Sequence, residues 1–67
     1  MIKSSIFDKI DDMGDFYELT ISIRAAEYNE KNLKVGNIIE IHNKNYVLST
    51  PYKWENNNLI VRAYPYA

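Results

Sequence analysis

Residues 16–25 read Phe-Tyr-Glu-Leu-Thr-Ile-Ser-Ile-Arg-Ala, and apolar and polar side chains alternate along this stretch from Tyr17 onward. One side carries Tyr17, Leu19, Ile21, Ile23 and Ala25, and the other carries Glu18, Thr20, Ser22 and Arg24. Successive side chains of a strand point to opposite faces, so a period of two in β-forming residues predicts a half-buried strand.

A hairpin is predicted further along the chain. Residues 37–41 and 46–50 are rich in β-forming residues and flank the polar loop His-Asn-Lys-Asn at positions 42–45. Pairing Ile41 with Tyr46, and Ile39 with Leu48, brings apolar side chains together on one face. Gly36 provides the conformational freedom needed where the chain enters this hairpin. Residues 33–47 resemble the Gly-Asp-x-Ile … Tyr-x-Val hairpins of small β-barrel modules and phage structural proteins, with Asn37 in the place of Asp.

The C-terminal residues predict a second hairpin. Residues 52–55 face residues 59–64 across three asparagines at positions 56–58, and Pro51 marks an edge, bulge or bend before them. Pairing Glu55 with Leu59 places Tyr52 opposite Arg62 and Trp54 opposite Ile60. The alternative of Lys53 opposite Arg62 sets like charges together, so the first register is favoured.

Two stretches are ambiguous. Residues 2–13 place Ile2, Ile6 and Ile10 at a spacing that suits either a helix or a strand. A strand is favoured, because Asp11 and Asp12 would lie at the negative end of a helix and Gly14 suits a hairpin turn. Residues 26–34 form either one or two helical turns, with Tyr28 and Leu33 facing inward, or a loop.

These elements predict a single domain over residues 1–67, all-β or β-rich α+β. Five short strands must curl to cover an apolar face, which favours a half-open SH3-like or OB-like barrel with at most a short helix at the N-terminus or near residues 26–34. The 67 residues include no cysteine, so burial rather than a disulfide or a thiolate metal site must stabilise the fold.

The charges are unevenly distributed. The net charge is −1, yet residues 1–30 carry seven acidic against three basic side chains, and residues 31–67 carry two against five. Five dispersed cations predict only weak contact with phosphates. No apolar run suits a signal peptide or a membrane span, so we expect a cytoplasmic protein that does not enter membranes. Ile, Asn, Lys and Tyr together make up 29 residues, the bias of an A/T-rich genome such as that of a phage or mobile element.

Aromatic residues near the C-terminus are the strongest functional signal. The favoured registers place Tyr52, Trp54, Tyr64 and Tyr66 on one face with Arg62 between them, either as core or as surface. Tyr, Trp and Arg dominate interface hot spots and also stack on nucleobases. The acidic residues Asp11, Asp12 and Asp15 form a second candidate surface, suited to a basic partner.

Catalytic and metal-binding patterns are missing from the sequence. His42 is the sole histidine, the acidic residues lack the spacing of a calcium loop, and no phosphate-binding or nucleophile motif occurs. The sequence therefore predicts no enzyme, no metal and no cofactor. It favours a protein-interaction module, encoded by a phage or mobile element, that binds and modulates or inhibits a host protein in the host cytoplasm. The alternatives are a β-barrel that binds single-stranded nucleic acid by stacking, and a phage structural or homo-oligomeric subunit.

Overall fold

A computed structural model describes residues 2–66, which form one six-stranded sheet and a short helix. The strands are β1 (Ile2–Lys3), β2 (Lys9–Asp12), β3 (Tyr17–Ser22), β4 (Ile38–Ile41), β5 (Lys44–Glu55) and β6 (Asn58–Pro65), and the helix is α1 (Ile23–Tyr28). The sheet order is β1-β4-β5-β6-β3-β2, antiparallel except for the β1–β4 pair. Within residues 2–66, no helix is long and apolar enough to cross a bilayer.

The sheet curls into a half-barrel, which confirms the predicted fold class with six strands in place of five. Its two edge strands, β1 and β2, are neighbours in the chain. The stretch from Lys3 to Lys9 spans at most about 21 Å when extended, and the 3₁₀ turn at Ser4–Ile6 shortens it. Six strands laid flat would set the edges about 24 Å apart, so the sheet has to curl for the chain to connect them.

The core lies on the concave face of the sheet, here called the inner face. It consists of alternate residues of β3, β4 and β6 together with residues from the flanking elements: Ile2, Phe7, Leu19, Ile21, Ala26, Ile39, Ile41, Leu48, Leu59, Val61 and Ala63. The opposite face, the outer face, carries most of the polar side chains of the sheet, together with aromatic rings and the apolar residues Ile38, Val47 and Ile60. A sheet with one buried face requires apolar side chains to be concentrated on that face.

The predicted strand from Phe16 to Ala25 is shorter than its alternation suggests. Leu19 and Ile21 are fully buried as expected, but β3 ends at Ser22 and α1 starts at Ile23. The Ser22 hydroxyl accepts a hydrogen bond from the Ala25 N–H at 3.3 Å, which caps the helix. Ile23 is therefore a partly exposed first-turn residue, and the expectation that Ile23 and Ala25 continue the strand is wrong.

The first predicted hairpin exists, but its register is shifted by two residues. Ile41 pairs with Lys44 and Ile39 with Tyr46. The turn comprises only His42 and Asn43, both with positive φ, the conformation of the tightest hairpins. A shift of two preserves the alternation, so Ile39, Ile41 and Leu48 still face the core.

The second hairpin is shifted by one residue, with larger consequences. Asn56 and Asn57, both at positive φ, form a two-residue turn, and Glu55 pairs with Asn58 and Trp54 with Leu59. A one-residue shift exchanges the faces. Trp54 therefore lies on the inner face, and the predicted pairs of Tyr52 with Arg62 and Trp54 with Ile60 are wrong. Register irregularities between Leu48 and Lys53 surround Pro51, as its missing N–H led us to expect.

The ambiguous stretches resolve in two ways. Residues 2–13 form strands β1 and β2 around one 3₁₀ turn, so the preference for strand is confirmed, and Gly14 takes the expected left-handed conformation. Residues 26–34 contain the end of α1 and a 3₁₀ turn at Glu30–Asn32. Leu33 packs against the core as predicted, but Tyr28 is 91% exposed and does not face inward.

Gly14 gives a direct test of the β2–β3 turn. Its φ is +94°, and a Cβ added there would meet nothing within 4 Å. We expect Gly14→Ala to lower the free energy of unfolding by about 1–2 kcal/mol through backbone strain alone, since steric conflict is absent. Urea unfolding measures the loss. Gly14→Asn, which tolerates the left-handed region better, should lose less, and equal losses would contradict this explanation.

Candidate functional site

The predicted site residues do not form one surface. Tyr52, Arg62 and Tyr64 lie together on the outer face, and Trp54 lies on the inner face beside α1. Tyr66 follows β6, is 58% exposed, and its N–H donates to the Asn45 carbonyl at 3.0 Å. The expectation that one face carries all of these aromatic residues is wrong, because the second hairpin is shifted by one residue and an irregularity between Pro51 and Lys53 separates Tyr52 from Trp54.

On the outer face, Arg62 is held between aromatic rings. Its guanidinium carbon lies 4.3 Å from the ring centroid of Tyr52 and 4.7 Å from that of Phe16. One terminal nitrogen donates to the Tyr64 hydroxyl at 3.4 Å, and this hydrogen bond raises the pKa of Arg62. Nε is buried without a hydrogen-bond partner among the described residues. Because its guanidinium already contacts two aromatic rings and the Tyr64 hydroxyl, Arg62 orders these side chains and offers little to a ligand.

The rest of the outer face has mixed charge. Lys53 pairs with Glu55 at 2.7 Å, which lowers the pKa of the Glu55 carboxyl and raises that of Lys53. Lys9 pairs with Asp11 at 3.6 Å, and Glu18 borders the same shallow hollow. Both lysines that line this hollow therefore have carboxylate partners, so the hollow contains no unpaired cation among residues 2–66.

The inner face carries an open apolar groove beside the core. It holds about 330 Å³ and is lined by Ala26, Glu27, Glu30, Leu33, Trp54 and Leu59. Leu59 is buried at its base, whereas Trp54 is 59% exposed at its wall. We call this feature the Trp54 groove. A large aromatic side chain that remains exposed beside an apolar hollow is typical of a binding site.

Two carboxylates stand on the rim of the Trp54 groove. Glu27 belongs to α1 and Glu30 begins the following 3₁₀ turn. The ion pairs found within residues 2–66 join Lys9 to Asp11 and Lys53 to Glu55, so neither rim carboxylate is neutralised by one of them. Sequence reasoning missed both residues, and the only available signal was their spacing of three in a possible helical turn.

Of the three acidic candidates near the N-terminus, the structure brings Asp12 and Asp15 together and places Asp11 apart from them. Asp11 lies on β2 in its ion pair with Lys9, and Asp12 ends that strand and accepts a hydrogen bond from the Gly14 N–H at 2.9 Å. Asp15 lies in the turn and, with Asp12, borders a small hollow that also includes Tyr17 and Tyr46. Asp12 therefore has a structural role in the turn, and Asp15 remains an exposed charge.

No group of three or more His, Asp or Glu side chains within residues 2–66 is arranged to hold a metal ion. We therefore expect the melting temperature to be the same with and without EDTA, because no ligand set couples metal binding to folding. Circular dichroism melts measure this. A decrease of several degrees with EDTA that zinc or calcium restores would contradict this expectation and make the loop from Asp11 to Asp15 a candidate metal site again.

In comparisons with known proteins, no family model, no curated protein and no solved structure matches this chain.

Proposed function

We propose that this chain is a non-enzymatic protein-interaction module that binds its partner through the Trp54 groove. The observation that carries the proposal is Trp54 itself, which is 59% exposed on the face where the neighbouring strand residues are core. Tryptophan is one of the residue types enriched in interface hot spots, which cluster in apolar pockets that the partner closes to water. A partner side chain that enters the groove would complete the burial of Trp54 and Leu59.

The proposal extends to a role as a modulator or inhibitor of a host protein in the host cytoplasm. A small domain with an apolar groove beside its core is suited to occupying a partner's surface. The bias toward Ile, Asn, Lys and Tyr supports a phage or mobile element as the source.

Capture from a lysate of the natural host tests this function with matched variants. The immobilised wild-type chain should retain a protein that Trp54→Ala fails to retain. Met13→Ala is the control, because Met13 is 51% exposed but lies in the β2–β3 turn, at the far end of β3 from Ile21, the partner of Leu59. Equal retention by all three chains, or loss with Met13→Ala as well, would refute a partner site at Trp54.

Binding of single-stranded nucleic acid is the weaker candidate. The outer face offers aromatic rings at Phe16, Tyr52 and Tyr64, but Arg62 is enclosed and Lys9 and Lys53 are paired with carboxylates. Stacking beside cations that are already paired gives weaker affinity for a phosphate backbone than stacking beside unpaired ones. We expect a fluorescent oligonucleotide to show no salt-dependent change in anisotropy. Tight binding that weakens steeply with salt would favour nucleic acid over a protein partner.

A further inference from the structure

The second half of β5 forms an open edge of the sheet. β4 pairs with β5 only over Lys44–Val47, and backbone bonds from Gly36 and Asn37 extend this to Leu48. Beyond Leu48, β5 pairs with β6 alone among the described residues, and every residue from Thr50 to Glu55 is exposed. Pro51 has no N–H to donate, so the part of this edge that can accept another strand is residues 52–55.

The register of the hairpin shows which backbone groups are free. In a hairpin with a two-residue turn, the residues flanking the turn exchange both backbone hydrogen bonds, and bonded pairs recur at every second residue. Glu55–Asn58 and Lys53–Ile60 are the bonded pairs here. The N–H and C=O of Trp54 therefore point away from β6, toward the open edge.

The open edge and the Trp54 groove meet at the same residue. A strand added beside residues 52–55 would turn alternate side chains toward the inner face, where Trp54, Leu33 and Ala26 line the groove. The rim there is acidic, with Glu27 and Glu30. A side chain that matches this place has an apolar stem and a cationic end, because the stem packs on Trp54 while the charge meets the carboxylates.

We propose that residues 52–55 accept an extended segment of a partner protein as an added strand, with a lysine or arginine side chain of that segment in the Trp54 groove. This inference rests on the proposed function and names the chemistry of the partner. Main-chain hydrogen bonds to Trp54 provide general affinity, and the groove provides the preference for a basic residue.

The test uses ¹⁵N-labelled full-length chain and the peptide acetyl-Thr-Val-Lys-Val-Thr-amide. Titration should shift the Trp54 backbone amide, its indole N–H and the amides of Glu27 and Glu30, and leave Phe16 and Tyr64 on the outer face unchanged. Replacing lysine with norleucine, which keeps the stem and removes the charge, should weaken binding about threefold or more. The double variant Glu27→Gln with Glu30→Gln should weaken the lysine peptide similarly and leave the norleucine peptide unaffected.

Backbone methylation separates strand addition from simple side-chain binding. One peptide is N-methylated at lysine and another at both valines. An added strand uses the N–H groups of alternate residues, so one of the two peptides should bind at least tenfold more weakly than the other. Equal binding by both, no difference between lysine and norleucine, or shifts confined to the outer face would each overturn the proposal.

Two further outcomes are distinguishable. If the Trp54 amide shifts as protein concentration rises, and sedimentation shows a dimer, then a second copy of this chain occupies the edge. That outcome refutes the proposal that a basic segment of a partner binds there. If no peptide binds while capture from lysate still depends on Trp54, the added-strand proposal fails and the proposed function remains.

Discussion

Leu48→Ala is expected to lower the melting temperature of this protein so far that most of the variant is unfolded at temperatures where the wild type is still folded. Leu48 is 1% exposed and lies at the centre of the inner face, opposite Ala63 of β6. Truncating a buried leucine costs about 2–5 kcal/mol through lost burial and the cavity that remains. The entire stability of a 67-residue domain is roughly 3–10 kcal/mol. Thermal melts by circular dichroism should show the midpoint lowered by about 10 °C or more.

The control for this expectation lies two residues further along the same strand. Thr50 is exposed beyond the part of β5 that β4 covers, so Thr50→Ala should change the free energy of unfolding by no more than about 0.5 kcal/mol. If the Leu48→Ala chain has the same melting temperature as the wild type, then the core does not lie on the inner face of β4, β5 and β6. The two variants together therefore test the packing of the curled sheet.

The inner face could be predicted from the sequence because its signal is local. Leu19 and Ile21 alternate with polar residues along β3. Ile39 and Ile41 occupy every second position of β4, and a hairpin register wrong by two residues still turns them and Leu48 toward the core. The left-handed conformation of Gly14 could also be predicted, since only a few residue types accept a positive φ in a turn.

The end of β3 could not be read from alternation. The pattern continues through Ile23 and Ala25, and helix formation starts there because Ser22 caps the backbone of Ala25. Ser22 suits both a polar position of a strand and the cap of a helix. Whether the chain continues as a strand or starts a helix after Ser22 depends on how the following residues pack. Ala26 is buried in the core, which the strand prediction did not foresee.

The candidate site could not be predicted because it depends on one residue of hairpin register and on an irregularity within β5. Three consecutive asparagines allow several turns, and all of them tolerate positive φ. The two-residue turn at Asn56 and Asn57 moves Trp54 to the inner face, and the irregularity in β5 between Pro51 and Lys53 keeps Tyr52 beside Arg62 on the outer face. The groove then requires Glu27 and Glu30, which approach Trp54 only through the tertiary fold.

Trp54→Ala is expected to abolish most partner binding and leave the fold intact. Trp54 is 59% exposed, so its truncation removes little buried surface and should change the free energy of unfolding by about 1 kcal/mol or less. In a hot spot the same truncation costs about 2 kcal/mol or more of binding free energy, roughly a thirtyfold loss of affinity. Circular dichroism measures the first quantity, and calorimetry with the captured partner measures the second.

The contrast between Leu48 and Trp54 makes the result decisive, because both side chains lie on the inner face of β5. If Trp54→Ala unfolds the chain as Leu48→Ala is expected to, then Trp54 belongs to the core and the groove is closed in solution. If Trp54→Ala is folded and binds the partner normally, the partner site lies elsewhere. Only a folded variant with greatly weakened binding is compatible with a groove that the partner completes, because an exposed tryptophan can lose binding without losing stability.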